Sequence, residues 1–171
     1  MTHLCTSLPG IVNSSTERKE NVILTLTDYN KNRKLDKHLI ETLRSLYSEV
    51  YLWPQGYGDE KYARSLGFRG RVIPRTLRDL DENLESGEFD YVGTRLHAGI
   101  RALQKGCHSI IVAIDNRSKE ISRDTLLDVV PRDFKESDLD VIQCRPGSEI
   151  LMDSEAIEKW RAFLRDKLVR R

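Results

Sequence analysis

Arg95 and His97 stand two residues apart in Gly93-Thr94-Arg95-Leu96-His97, where a short apolar run ends and a helical pattern begins. The first backbone N–H groups of a helix lack internal partners and face the positive end of the macrodipole, so a phosphate or carboxylate is stabilised there. Arginine adds a bidentate fork, and histidine adds a titratable donor. These residue types at this spacing point to chemistry on a small anion, with Arg95 and His97 as catalytic candidates and Thr94 and Leu96 as binding positions beside them. Asp115, Arg117, Arg75 and Arg132 follow other apolar runs in the same way and complete the set of binding candidates. On this reading Arg95 lines a solvated crevice, and Arg95→Ala is expected to leave folding nearly intact.

The elements that must hold these residues alternate along the chain. Residues 1–20 are rich in Ser, Thr and charge with little periodicity and read as a weakly ordered polar leader. Residues 21–171 read as one domain. Strand-like runs at Val22 to Thr27, Val50 to Trp53, Val72 to Ile73, Tyr91 to Val92, Ser109 to Ile114 and Val129 to Val130 are separated by amphipathic segments. Those segments are Lys34 to Ser48, Asp59 to Leu66, Leu77 to Glu85, Leu96 to Lys105 closed by Gly106, and a helix starting near Ser118. Strands separated by helices require right-handed crossovers, so the fold class is α/β with a Rossmann-like, doubly wound, mainly parallel sheet. Ligands of such sheets bind beyond the carboxyl ends of the strands. Five of the six loops expected there carry Arg. In the helix after Arg95, Leu96, Ile100 and Leu103 are expected to face the core, and the small residues Ala98, Gly99 and Ala102 to permit a close approach to the sheet. The tail from Asp153 to Arg170, with Ala156, Ile157, Trp160, Phe163, Leu164 and Val169 at near-helical spacing, predicts a terminal helix packed through one apolar face.

Composition narrows the function classes. The 28 basic and 27 acidic residues nearly cancel, which argues against a dedicated nucleic-acid or anionic-membrane surface. Cys5, Cys107 and Cys144 show no metal-like pairing and fit reduced thiols in a cytoplasmic protein. No apolar run approaches the roughly 20 residues that span a bilayer, and no metal or cofactor motif is present. Asp138 and Asp140 lack a partner cluster, and Asp28 and Asp124 read as helix caps. Trp53-Pro54-Gln55-Gly56-Tyr57-Gly58 reads either as a turn covering the sheet end or as a loop on which a sugar or base stacks.

The segment Val92-Gly93-Thr94-Arg95-Leu96-His97-Ala98-Gly99-Ile100-Arg101-Ala102-Leu103, followed by Ile110-Ile111-Val112-Ala113-Ile114-Asp115-Asn116-Arg117, resembles the polysaccharide pyruvyl transferase family. The similarity covers roughly Asn21 to Arg170. The resemblance implies one half of a GT-B-like fold and transfer of pyruvate from phosphoenolpyruvate onto sugar hydroxyls as a ketal on cell-surface polysaccharides. It places Arg95 and His97 on the family's donor-binding positions, with Leu96 between them; Asp115 and Arg117 match more loosely. Phosphoenolpyruvate carries a phosphate and a carboxylate, so Arg95 and the helix start suit the phosphate while Arg117, Arg132 and Arg75 are candidates for the carboxylate.

Family members carry an N-terminal domain where this chain has a short leader. The expectation is therefore a C-terminal, donor-side domain, with a second copy or a partner chain supplying the acceptor site for a saccharide. Two rival readings stand beside it. One is a non-catalytic or incomplete GT-B half that binds an anionic donor, and the other is a glycosyltransferase-type domain that binds a nucleotide-sugar.

Overall fold

The computed structural model describes residues 18–125, 127–135, 137–138 and 154–169. Six parallel strands form one sheet: β1 (Asn21–Thr25), β2 (Glu49–Leu52), β3 (Arg71–Val72), β4 (Phe89–Gly93), β5 (Ser109–Ala113) and β6 (Val129–Pro131). Five helices connect them: α1 (Arg33–Leu46), α2 (Tyr57–Ser65), α3 (Leu77–Glu85), α4 (Leu96–Gln104) and α5 (Asn116–Thr125); α6 (Ser154–Val169) follows. The strand order β3-β2-β1-β4-β5-β6 reverses between β1 and β4. The fold is the doubly wound, Rossmann-like arrangement that the alternation predicts.

Both faces of the sheet are covered, which is why its strands read as continuous apolar runs. Leu39, Ile40 and Leu43 of α1, Tyr62 and Ala63 of α2 and Leu66 just after it pack on Val22, Leu24, Leu52, Val92, Ile110 and Val112. On the opposite face Leu80 and Leu84 of α3 and Ala98 and Ala102 of α4 meet Ile23, Phe89 and Tyr91. Helix α4 lies so close to β5 that a Cβ at Gly99 would come within 2.7 Å of Ile111 Cγ1. The helix therefore rests on its small residues. Leu103 is deeply buried, whereas Leu96 and Ile100 are only partly buried beside it; Ile100 is at the margin of the core rather than in it.

The tail departs further from expectation. Helix α6 forms, but Trp160, Phe163 and Leu164 are exposed, and Trp160 stacks on Phe163 within its own helix. Near-helical spacing dictates a helix but not the burial of its apolar side. The side chains of Ala156, Ile157 and Val169 lie outside the described residues.

At the amino-terminal edge of the sheet Asp90 is buried, accepting hydrogen bonds from the Lys19 backbone N–H (3.1 Å) and the Tyr47 hydroxyl (3.2 Å). Burial raises its carboxyl above the ordinary range. Together with the Arg18 guanidinium over the Tyr47 ring, these contacts pin residues 18–20, the end of the expected leader; residues 1–17 lie outside the described ones. Cys107 is a free, buried thiol pushed up to about 12, first by desolvation and then by the nearby Asp90. Cys5 and Cys144 lie outside the described residues. With both changed to Ser, native Cys107 should resist iodoacetamide at neutral pH and react once unfolded; rapid native alkylation would show the thiol to be accessible. A raised folded pKa favours the native state below the unfolded value of about 8.5. The Cys107 contribution to stability should therefore be lost as pH climbs from about 9 towards 12, measurable by urea unfolding against Cys107→Ala.

Candidate functional site

A crevice of about 240 Å³ opens beyond the carboxyl ends of β1, β4 and β5, at the reversal of strand order. Thr94, Arg95, Leu96 and His97 line it from the start of α4, and Asp115, Arg117 and Ser118 line it from the start of α5. Tyr29 and Gln55 close its sides. Two helix starts thus converge on one cavity. The first turn of α4 contains no acidic residue, and its N-cap, Arg95, makes no side-chain capping bond, so the positive end of that helix is not neutralised locally.

The turn from β4 into α4 is fixed from below. Thr25 Oγ1 and the buried Tyr91 hydroxyl lie 2.6 Å apart, Tyr91 donates to the Arg95 carbonyl at 2.9 Å, and Thr25 Oγ1 accepts from Arg95 N–H at 3.3 Å. Burial holds the Tyr91 phenol well above its ordinary range, so it remains a donor. Gly93 permits this packing: a Cβ there would sit 2.1 Å from Thr25 Oγ1 and 2.7 Å from the Thr25 backbone.

Arg95 is not a free crevice cation. Its Nη2 donates to both oxygens of Asp59 at 2.8 Å, with the Asp59 side chain fully buried and that of Arg95 only 16% exposed. Asp59 also accepts from Asp28 N–H (3.0 Å) and from Gly56 N–H (2.8 Å) at the start of α2. The Tyr29 ring lies 5.3 Å from the Arg95 guanidinium. Arg117 is paired too, through Asp115 at 2.9 Å, but that pair is solvent-exposed. His97 is exposed, and no described residue holds its side chain.

The other candidates lie elsewhere. Arg132 forks onto the buried Asp36, Nε to Oδ1 at 2.9 Å and Nη2 to Oδ2 at 2.7 Å, and donates through Nη1 to the Asn30 carbonyl. The Tyr62 hydroxyl also donates to Asp36, and its pKa is raised beyond the ordinary range by burial and by that carboxylate. Arg75 stacks on Tyr57 instead of facing the crevice. Asp28 does not cap α1; Asn32 does, accepting from Leu35 N–H. Asp138 accepts from Lys135 N–H, and Asp140 lies outside the described residues. Among the described residues no cluster of His, Cys, Asp or Glu could hold a metal ion.

Comparisons of the chain with protein-family models, with curated proteins and with solved structures returned no match. Residue types alone do not disclose Asp59, which holds Arg95, nor the lining residues Tyr29, Gln55, Ile114 and Ser118. The signal for Asp59 is its place three residues after Gly56, where an acidic side chain reaches back to the start of a helix. Ser118 is buried, and its hydroxyl donates to the Asp115 carbonyl.

The burial of the Asp59–Arg95 pair reverses the expectation for Arg95→Ala. Removing the guanidinium leaves Asp59 without its counter-charge, which should cost roughly 3–5 kcal/mol. Arg117→Ala breaks an exposed pair and should cost under about 1 kcal/mol. Urea unfolding of the two variants decides this, and equal costs would refute the burial argument.

Proposed function

We propose that this chain is a donor-side domain for pyruvyl transfer from phosphoenolpyruvate to sugar hydroxyls in cell-surface polysaccharide biosynthesis. The observation that carries the reading is the convergence of two helix starts, with Arg95, His97 and Arg117, on one small crevice at the switch point of the sheet. A compact dianion suits that space. At about 240 Å³ it is smaller than the roughly 300–1,000 Å³ of sites for drug-sized ligands, which favours phosphoenolpyruvate over a nucleotide-sugar.

In this reading the N–H groups at the start of α4 receive the phosphate beside the Asp59-paired Arg95, and Arg117 receives the carboxylate by exchanging Asp115 for the ligand. His97 supplies a proton to the methylene carbon, turning it into a methyl group and leaving an oxocarbenium centre at the adjacent carbon. A sugar hydroxyl adds there and releases its proton. Phosphate then departs with its electron pair, and a second hydroxyl closes the ketal with loss of its own proton. One of the two hydroxyl protons replaces the one His97 gave, and the other leaves with phosphate. The acceptor site is shared with a second copy or a partner chain, in the cytoplasm. Among the described residues no helix is long and apolar enough to cross a membrane.

Titration calorimetry with phosphoenolpyruvate tests this, using the wild type, His97→Ala and Arg117→Ala, with inorganic phosphate and a uridine nucleotide as competitors. Arg117→Ala removes a charge-assisted contact of roughly 1.5–3 kcal/mol, an affinity loss of about tenfold to a hundredfold, whereas His97→Ala removes the proton donor and should leave the affinity nearly unchanged while abolishing transfer. Preference for the nucleotide would move the assignment to a glycosyltransferase-type domain, and absence of all binding to an incomplete half.

A further inference from the structure

The loops after β2 and β3 carry a feature that the anion crevice does not use. Tyr57, the first residue of α2, is 88% exposed, more than any other large hydrophobic side chain described. It is nonetheless held, because the Arg75 guanidinium lies 3.5 Å from the centroid of its ring. Trp53 fixes the two loops together from beneath, buried and donating through Nε1 to the Thr76 carbonyl at 3.2 Å. Of the two aromatics in this segment, Trp53 belongs to the core and only Tyr57 is presented to solvent. Two residues before it, Gln55 lines the anion crevice, and Tyr29, itself 47% exposed, stands on the same crevice.

From this arrangement we infer that Tyr57 and Arg75 form a saccharide subsite on which the acceptor ring stacks; the inference rests on the pyruvyl-transfer reading. A pyranose has one face made largely of C–H groups and a rim of hydroxyls, so it needs a flat apolar surface bordered by polar donors. Tyr57 provides the surface. Arg75, which pairs with no carboxylate among the described residues, covers one face of that ring with its guanidinium, so the sugar takes the opposite face and meets charged donors at the rim. A protein partner would call for a contiguous apolar patch, whereas the exposed large apolar side chains of these two loops are Tyr57 and Leu77 alone among the described residues. Tyr57 also stands close to the crevice, because Gly58 beside it packs against Asp28, the residue before Tyr29, so closely that a Cβ there would lie 1.9 Å from Asp28 Oδ2. A ring seated on Tyr57 can extend a hydroxyl into the crevice that holds the donor.

The test is an NMR titration of the ¹⁵N-labelled full chain with methyl glycosides of glucose, galactose, mannose and glucuronic acid, with and without phosphoenolpyruvate. Tyr57→Ala, Tyr57→Phe and a uridine arm accompany the wild type. The expected result is that at least one glycoside shifts the amides of 56–58 and 75–76, that Tyr57→Ala weakens it by roughly tenfold while Tyr57→Phe retains it, and that phosphoenolpyruvate binding is the same in all three proteins. Because Tyr57 is exposed, Tyr57→Ala keeps the fold. The subsite is overturned if no glycoside binds, if Tyr57→Ala binds as well as the wild type, or if uridine alone moves these amides. Glycoside binding in a chain that ignores phosphoenolpyruvate would support the subsite and overturn only the donor assignment.

Discussion

A single buried carboxylate organises the carboxyl edge of this sheet. Asp59 accepts from the Asp28 backbone after β1, from the Gly56 backbone after β2 and from the Arg95 side chain after β4. Three loops that approach from different strands are therefore tied to one group. Burying a charge is costly unless its hydrogen-bonding capacity is filled, and these donors fill it. Asp36 repeats the device a short way along the edge, joining Asn32 of the β1 loop, Tyr62 of α2 and Arg132 after β6. Because each carboxylate is shared among elements distant in the chain, the loops cannot rearrange independently.

Beneath this edge the packing leaves little slack. The parallel register pairs Thr25 with Gly93, and the missing side chain at Gly93 brings the Thr25 hydroxyl up to Tyr91 and the Arg95 backbone. Helix α4 is then laid on β5 through Gly99 and on the β1–β4 side through Ala98 and Ala102. The start of α4 is held in place both by strand packing and by the ion pair of its first residue, so the direction of its free N–H groups is set by the core rather than by a flexible loop.

Much of the fold was legible in the chain because burial on both faces gives each strand an unbroken apolar run, and because the helices between them keep their period. The strands and helices around Leu24, Leu43, Val92 and Ile110 followed from that pattern. The candidate crevice was legible for a related reason: in a doubly wound sheet, position after a strand is position at the ligand edge, and Thr94 to His97 and Asp115 to Arg117 do meet there. Partner choice was not legible. Nothing in local spacing says that Arg95 pairs with Asp59, 36 residues away, or Arg132 with Asp36, 96 residues away; these are tertiary encounters selected by desolvation. The same gap explains Ile100 and Trp160, since periodicity states that a side is apolar without stating what lies opposite.

The pairing of both crevice guanidiniums with carboxylates has a consequence for how a ligand arrives. Two cation–anion pairs present a dipolar field, which decays faster with distance than the field of bare charge and is cut off further by salt within about 8 Å. An anion bound as proposed would therefore not be drawn in from afar. It would encounter the crevice by ordinary diffusion and be sorted only on contact, by whether its shape lets it reach the α4 N–H groups and displace Asp115 from Arg117. Recognition of this kind is slow to begin and insensitive to ionic strength, and it discriminates among anions of equal charge by geometry.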